Sequence, residues 1–165
     1  MAVPIALRPV VPDDLPALFD QQRDPVANHQ AAFTAEDPDD RVAFTAHWAR
    51  IRNDESVVIR AIVADGRLAG SVLRYEDEGR PEVSYWIDRE LWGRGIATAA
   101  LTAFLDEVSD RPIFARIAHD NAGSLRVLQK CGFAVVGEDW GYATARAEEI
   151  SEYVLRLDGS ASGQT

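Results

Sequence analysis

Residues 82–108 constrain this chain more than any other stretch. Val83, Tyr85 and Ile87 alternate with Glu82, Ser84, Trp86 and Asp88, a period of two that predicts a strand. A short loop, Leu91-Trp92-Gly93-Arg94-Gly95, follows it. Ala97, Ala100, Leu101, Phe104, Leu105 and Val108 then recur at i, i+3, i+4, i+7, i+8 and i+11, one face of an α-helix. Strand, glycine-bearing loop and helix N-terminus in that order form an anion site. The first amides of the helix have no internal acceptor, and the helix dipole favours negative charge beside them.

Which anion the loop suits follows from its spacing. It lacks Gly-x-x-x-x-Gly-Lys-Ser/Thr, which argues against a nucleoside-triphosphate loop. It also lacks the third small residue of a dinucleotide loop, because Thr98 stands three residues after Gly95. A glycine pair before a helix also serves a plain tight turn, so the loop alone leaves both readings open. Further along, Asn121 is a good N-cap for a second helix. Leu125, Leu128 and either Val127 or Cys131 give that helix its apolar stripe, and Gly132-Phe133 ends it.

Trp92-Gly93-Arg94-Gly95-Ile96-Ala97 resembles the pyrophosphate loop of the GNAT acetyltransferase superfamily, Gln/Arg-x-x-Gly-x-Gly/Ala, with Gly95 and Ala97 matching and Trp92 departing. Asn121-Ala122-Gly123-Ser124, an apolar helix and Gly132-Phe133 are similar to the second signature of that family. The aromatic at Trp92 points to the branch resembling ribosomal-protein N-terminal acetyltransferases. The resemblance covers roughly residues 5 to 157.

Periodicity and turn signals predict the remaining elements. Ile5 to Val10 reads as a strand, and Asp13 or Asp14 caps a helix carrying Leu15, Leu18 and Phe19, which Asp24-Pro25 ends. Residues 25 to 36 read as irregular. Asp37 is expected to cap the next helix, with Pro38 at its first position. Val57 to Ala64 and Arg67 to Tyr75 are strands joined by Asp65-Gly66. Glu76 to Arg80 reads as a turn, Ile113 to Ala118 as a strand, and Phe133 to Gly137 and Ile150 to Leu157 as a closing pair around a loop, Glu138 to Glu149. The fold class is thus α/β (α+β), and the resemblance implies a GNAT-like mixed, mostly antiparallel twisted sheet with helices on both faces. A single domain over residues 1–157 is expected, with a Gly/Ser-rich disordered tail over 158–165.

The resemblance further implies an N-acetyltransferase that moves acetyl from acetyl-coenzyme A to a primary amine by direct attack. The pyrophosphate would rest on the amides of Gly93, Arg94, Gly95, Ile96, Ala97 and Thr98, and Arg94 either adds a charge or remains a solvated surface residue. The pantetheine arm would pair with the main chain of Tyr85, Trp86 and Ile87. Asn121 would contact the coenzyme as well as cap its helix. Two common family groups are missing: the family tyrosine five residues before the Gly-Phe phenylalanine is Leu128, and a strand glutamate five residues before the asparagine is Arg116. Ser124 matches the serine of the branch resembling ribosomal-protein acetyltransferases, which implies a hydroxyl near the departing sulfur unless it only supports its helix. Glu82 is the candidate base, acting through a water or else merely sitting at a strand end in solvent, with His119 as the other candidate. The acceptor is expected against Asn28 and Phe33 and a loop with Trp140 and Tyr142, aromatics that serve equally on a partner subunit of a possible homodimer. The rival reading is a non-catalytic acyl-coenzyme-A-binding or sensor module.

Charge narrows the partners. A formal net charge of −10 argues against nucleic acid and suits an amine such as a small molecule or a protein N-terminus. One cysteine, Cys131, excludes an internal disulfide, and no metal-ligand spacing appears. No signal-like or membrane-length apolar segment is read, so no membrane partner and a cytoplasmic location are expected.

Overall fold

The structure, a computed structural model, describes residues 3–159. Seven strands form one sheet: β1 (Ile5–Arg8), β2 (Val58–Ala64), β3 (Arg67–Asp77), β4 (Arg80–Ile87), β5 (Ile113–Ala118), β6 (Ala134–Ala143) and β7 (Glu148–Leu157), in the order β1-β2-β3-β4-β5-β7-β6. Helices α1 (Leu15–Gln22), α2 (Pro25–Ala31), α3 (Arg41–Arg52), α4 (Ile96–Glu107) and α5 (Ala122–Lys130) pack around it. Every strand pair is antiparallel except β4–β5. That parallel pair shares a single register match, Glu82↔Phe114, among the described residues. Beyond it β4 runs on to Ile87 and β5 to Ala118 with no pairing, so the sheet opens into a V at their C-terminal ends.

Strand alternation assigns the two faces. On β2, Ile62 and Ala64 join the core beneath α4 and α5, with Leu101, Phe104, Leu128 and Leu155. Ile59 and Ala61, on the opposite face, pack against Leu18 of α1 and Trp48 of α3. A third cluster, Ala32, Ala118, Ala143 and Ile150, seats the segment after α2 across the ends of β5, β6 and β7. Fully buried Phe104 and Leu101 anchor α4, so the helix that ends the loop is fixed by its apolar stripe. The α5 terminus closes as expected: Phe133 N–H donates to the Leu128 carbonyl and Gly132 N–H to that of Gln129, each at 3.0 Å.

Several expected boundaries move. Residues 25–36 are not irregular throughout. Asp24-Pro25 both ends α1 and starts α2, because Asp24 accepts the Ala27 amide at 2.9 Å and Pro25 occupies the first helical position. Helix α3 is capped by Asp40, not Asp37. Asp37 instead takes the Asp39 amide in a local turn (3.0 Å), while Asp40 accepts from Ala43 (3.0 Å). β3 and β4 are longer than expected and meet at a two-residue turn, Glu78-Gly79. The segment Glu138 to Glu149 is mostly ladder, since β6 pairs with β7 as far as Ala143↔Glu148. Gly141 sits in that strand because the Phe33 ring occupies the space of a side chain, 3.2 Å from where a Cβ would lie. Of the expected tail, residues 160–165 lie outside the described residues. No described helix is long and apolar enough to cross a membrane.

Candidate active site

The open V forms the mouth of a cleft of about 660 Å³. One end is lined by Gly93, Gly95, Ile96, Ala97 and Thr98, the middle by Tyr85, Trp86, Ile87, Asn121 and Ser124, and the far end by Phe33, Tyr75, Arg116 and Glu152. Nearly all the expected coenzyme residues therefore meet in one continuous space.

The loop is built by its two ends. Leu91 and Ile96 are buried, which pins the loop where it leaves the sheet and enters α4. Between them Gly93 (φ 76°) and Gly95 (φ 77°) are left-handed, a conformation other residues adopt at a cost. A Cβ at either position would meet nothing within 4 Å, so backbone conformation, not space, demands glycine here. The first main-chain bond into the helix is Ala99 N–H to the Gly95 carbonyl, 3.1 Å, and no side chain caps α4. The amides of Ile96, Ala97 and Thr98 are left pointing outward. Arg89, before the loop, is paired with Asp24 at 2.8 Å. Arg94 and the cleft-lining Arg126 form no ion pair among the described residues, so positive charge stands at this end of an acidic protein.

Asn121 is buried and serves twice. Its Oδ1 accepts the Ser124 amide (3.2 Å), capping α5, and accepts Gln30 Nε2 (2.9 Å), tying α2 to the cleft. Arg146 fastens the same wall by donating to both Asp120 oxygens (2.6 and 2.8 Å) and to the His29 carbonyl (2.9 Å). Ser124 turns toward β4, where the Tyr85 hydroxyl donates to its Oγ at 3.1 Å. Burial pushes the Tyr85 phenol up to about 12, so it stays protonated at neutral pH. Trp86 lines the cleft with its ring and donates Nε1–H to the Gln21 carbonyl at 3.3 Å.

On the opposite face of β4, Glu82 is 1% exposed and does not itself line the cleft. Its Oε2 accepts from Arg80 at 3.0 Å and lies 3.5 Å from Arg116 Nε, an ion pair longer than a good hydrogen bond. Its Oε1 accepts from the Tyr75 hydroxyl at 3.4 Å. Arg116 also binds Glu152 (2.8 Å) and Asp139 (3.1 Å). Burial alone would lower the Arg116 pKa, but these carboxylates outweigh it and raise it. Burial and the neighbouring Glu82 raise Tyr75 strongly.

Several expected residues lie elsewhere. His119 is exposed, with Nδ1 3.1 Å from the Ser151 carbonyl, and does not line the cleft. Asn28 is buried in the middle of α2, donates to the Gln22 carbonyl at the end of α1, and does not line the cleft. Trp140 and Tyr142 are 69% and 59% exposed. They alternate with Asp139 and Gly141 along β6 and so face away from Phe33. Of the expected acceptor residues, only Phe33 lines the cleft. Tyr75, Gln30 and Arg126 do line it without being anticipated, and the one sequence signal for Tyr75 was its strand parity with Glu82 across the hairpin. No group of three His, Cys, Asp or Glu among the described residues could hold a metal ion.

Comparison with known proteins adds to this geometry. The sequence profile of the acetyltransferase (GNAT) domain matches residues 5–134. A search of curated proteins finds no match. Among solved structures, Mycobacterium smegmatis RimJ in complex with CoA-disulfide superposes with a TM-score of 0.81 at 22% identity, over 96% of this chain and 85% of that one. Spermidine N-acetyltransferase from Vibrio cholerae, in complex with CoA and spermine, gives 0.78 at 16% identity, over 93% and 95%. Ribosomal-protein-alanine N-acetyltransferase from Brucella melitensis gives 0.78 at 21% identity, over 93% and 99%.

Proposed function

Because the chain belongs to the GNAT acetyltransferase family, we propose that it moves an acetyl group from acetyl-coenzyme A to a primary amine within a ternary complex. The observation that carries this reading is the continuous cleft from the open amides of α4, through the β4/β5 V, to Tyr75 and Arg116. The CoA held by the RimJ and spermidine acetyltransferase structures, which share this fold, supports it.

In this reading the amides of Gly93 to Thr98 take the pyrophosphate, with Arg94 and Arg126 adding charge. Tyr85, Trp86 and Ile87 pair with β3 on one side, and the edge of β4 that β5 leaves free along them takes the pantetheine arm, with Asn121 contacting it from α5. The thioester then lies beside Ser124, and the amine enters from the opposite face past Phe33, Trp86 and Arg116–Glu152. Glu82 is the base, acting through Tyr75. The Tyr75 hydroxyl accepts the amine proton while passing its own to Glu82 Oε1. The amine nitrogen bonds to the carbonyl carbon, the carbon–sulfur bond breaks, and the electron pair leaves with sulfur.

The test is mass-spectrometric detection of acetylated product after incubation with acetyl-coenzyme A and a panel of primary amines and short peptides, with coenzyme binding measured on the same sample. Product is expected with at least one class of amine. Tight coenzyme binding without product across the panel favours the sensor module, the reading that Leu128 and the ion-paired Glu82 also fit.

A further inference from the structure

Tyr85 and Ser124 meet at 3.1 Å in the middle of the cleft, on the α4/α5 face of the sheet. Leu128, one turn further along α5, is buried and has no proton to give. A serine hydroxyl has one hydrogen and two lone pairs. Where nothing holds it, that hydrogen rotates freely. The Tyr85 phenol donates into one lone pair, which biases the Ser124 hydrogen away from β4 and into the cleft. Ser124 also stands in the first turn of α5, a nine-residue helix whose positive end lies there.

We propose that Tyr85 is a positioning residue whose hydroxyl aims the single Ser124 hydrogen at the coenzyme sulfur, so that the leaving group departs as a hydrogen-bonded thiolate. This inference rests on the acetyltransferase reading above and deepens it. The carbon–sulfur bond breaks, both electrons stay on sulfur, Ser124 O–H donates a hydrogen bond to it, and solvent later supplies the proton. Full proton transfer from tyrosine through serine is the poorer route. Burial holds the phenol up to about 12, whereas a thiol sits near 8.5, so transfer would run uphill by roughly three powers of ten. The hydroxyl is thus suited to orienting the serine and poorly suited to surrendering its proton.

The test needs no acceptor. With protein in molar excess over coenzyme A, the pH dependence of alkylation of the bound thiol gives its pKa, and mass spectrometry counts Cys131 separately. Wild type, Tyr85→Phe and Ser124→Ala are compared, with melting temperatures to establish folding. The bound thiol is expected below its free value in wild type. It should rise by about half a unit to one unit in Tyr85→Phe and at least as far in Ser124→Ala, with coenzyme affinity changed less than about threefold. A residue that merely fills space would leave the thiol pKa unmoved. If coenzyme A binds and its thiol titrates alike in wild type and Tyr85→Phe, the inference is overturned while the acetyltransferase reading stands. If wild type does not bind coenzyme A, both fall. Should Tyr85→Phe fail to fold, the Ser124→Ala comparison decides: an unmoved thiol pKa there also overturns the inference.

Discussion

Trp92 donates its indole Nε1–H to the main-chain carbonyl of Ile87 at 3.0 Å, binding the glycine loop back onto the last residue of β4. Trp92 stands where family members carry Gln or Arg, and this bond explains how an aromatic serves there. It sets the distance between the loop amides and the free edge of β4, the two surfaces that would hold opposite ends of the coenzyme. Trp92→Phe keeps an aromatic side chain and removes the donor. The loss of one hydrogen bond, about 1 kcal/mol, should weaken acetyl-coenzyme A binding about fivefold by calorimetry, with global stability changed less.

Gly70 fixes the other side of β4. A Cβ on Gly70 would lie 1.8 Å from the Trp86 carbonyl oxygen and 2.9 Å from its carbon. Backbone cannot yield as a side chain tip can. Gly70→Ala should therefore destabilise by about 3 kcal/mol in urea unfolding and weaken coenzyme binding, because β4 must shift along the very residues proposed to pair with pantetheine. Gly79→Ala, at an open turn with nothing within 4 Å, should leave coenzyme affinity unchanged.

The proposed base relay separates two variants. Tyr75→Phe leaves Glu82 bound to Arg80 and Arg116 and removes only the hydroxyl. It should lower kcat at least tenfold with little loss of stability. Glu82→Gln should lower kcat by about 10²–10⁴ and also destabilise, since it withdraws a charge from two partly buried arginines. Equal kcat in Tyr75→Phe and wild type would falsify the relay.

Acid stability has a named contributor. Asp14 is almost wholly buried and accepts two bonds from Arg8 (2.8 and 2.9 Å) and one from the Val11 amide (2.8 Å). The Arg8 guanidinium holds its carboxyl below the ordinary 3.8. A carboxylate depressed on folding contributes fully above its unfolded value, and its contribution is lost as pH falls through the folded one. Wild type should thus lose this contribution below about pH 4. Asp14→Asn should be less stable at neutral pH by about 1.5–3 kcal/mol and show a shallower further loss below pH 4 in thermal melts.

What was legible in the sequence was what local physics writes there. The Gly93–Gly95 loop, the apolar stripe of α4, the Asn121 cap and the Gly132 terminus each depend on neighbours within a few residues, and each appears as expected. Helix α2 was missed because seven residues show too little periodicity and Asp24-Pro25 reads first as a breaker, although it is equally a cap. The acidic residues and Gly141 masked β6, whose pairing is decided by β7 and whose glycine is explained by Phe33, more than a hundred positions earlier. The cluster of Tyr75, Glu82, Arg116, Asp139 and Glu152 spans five strands, and no local pattern announces it.

The most direct test of a thioester and an amine meeting across the β4/β5 V is steady-state thiol release with both acetyl-coenzyme A and an accepted amine varied. Direct attack in a ternary complex predicts release that requires the amine and double-reciprocal lines that intersect. Parallel lines, the mark of an acetyl-enzyme, or release indifferent to any amine, would contradict it.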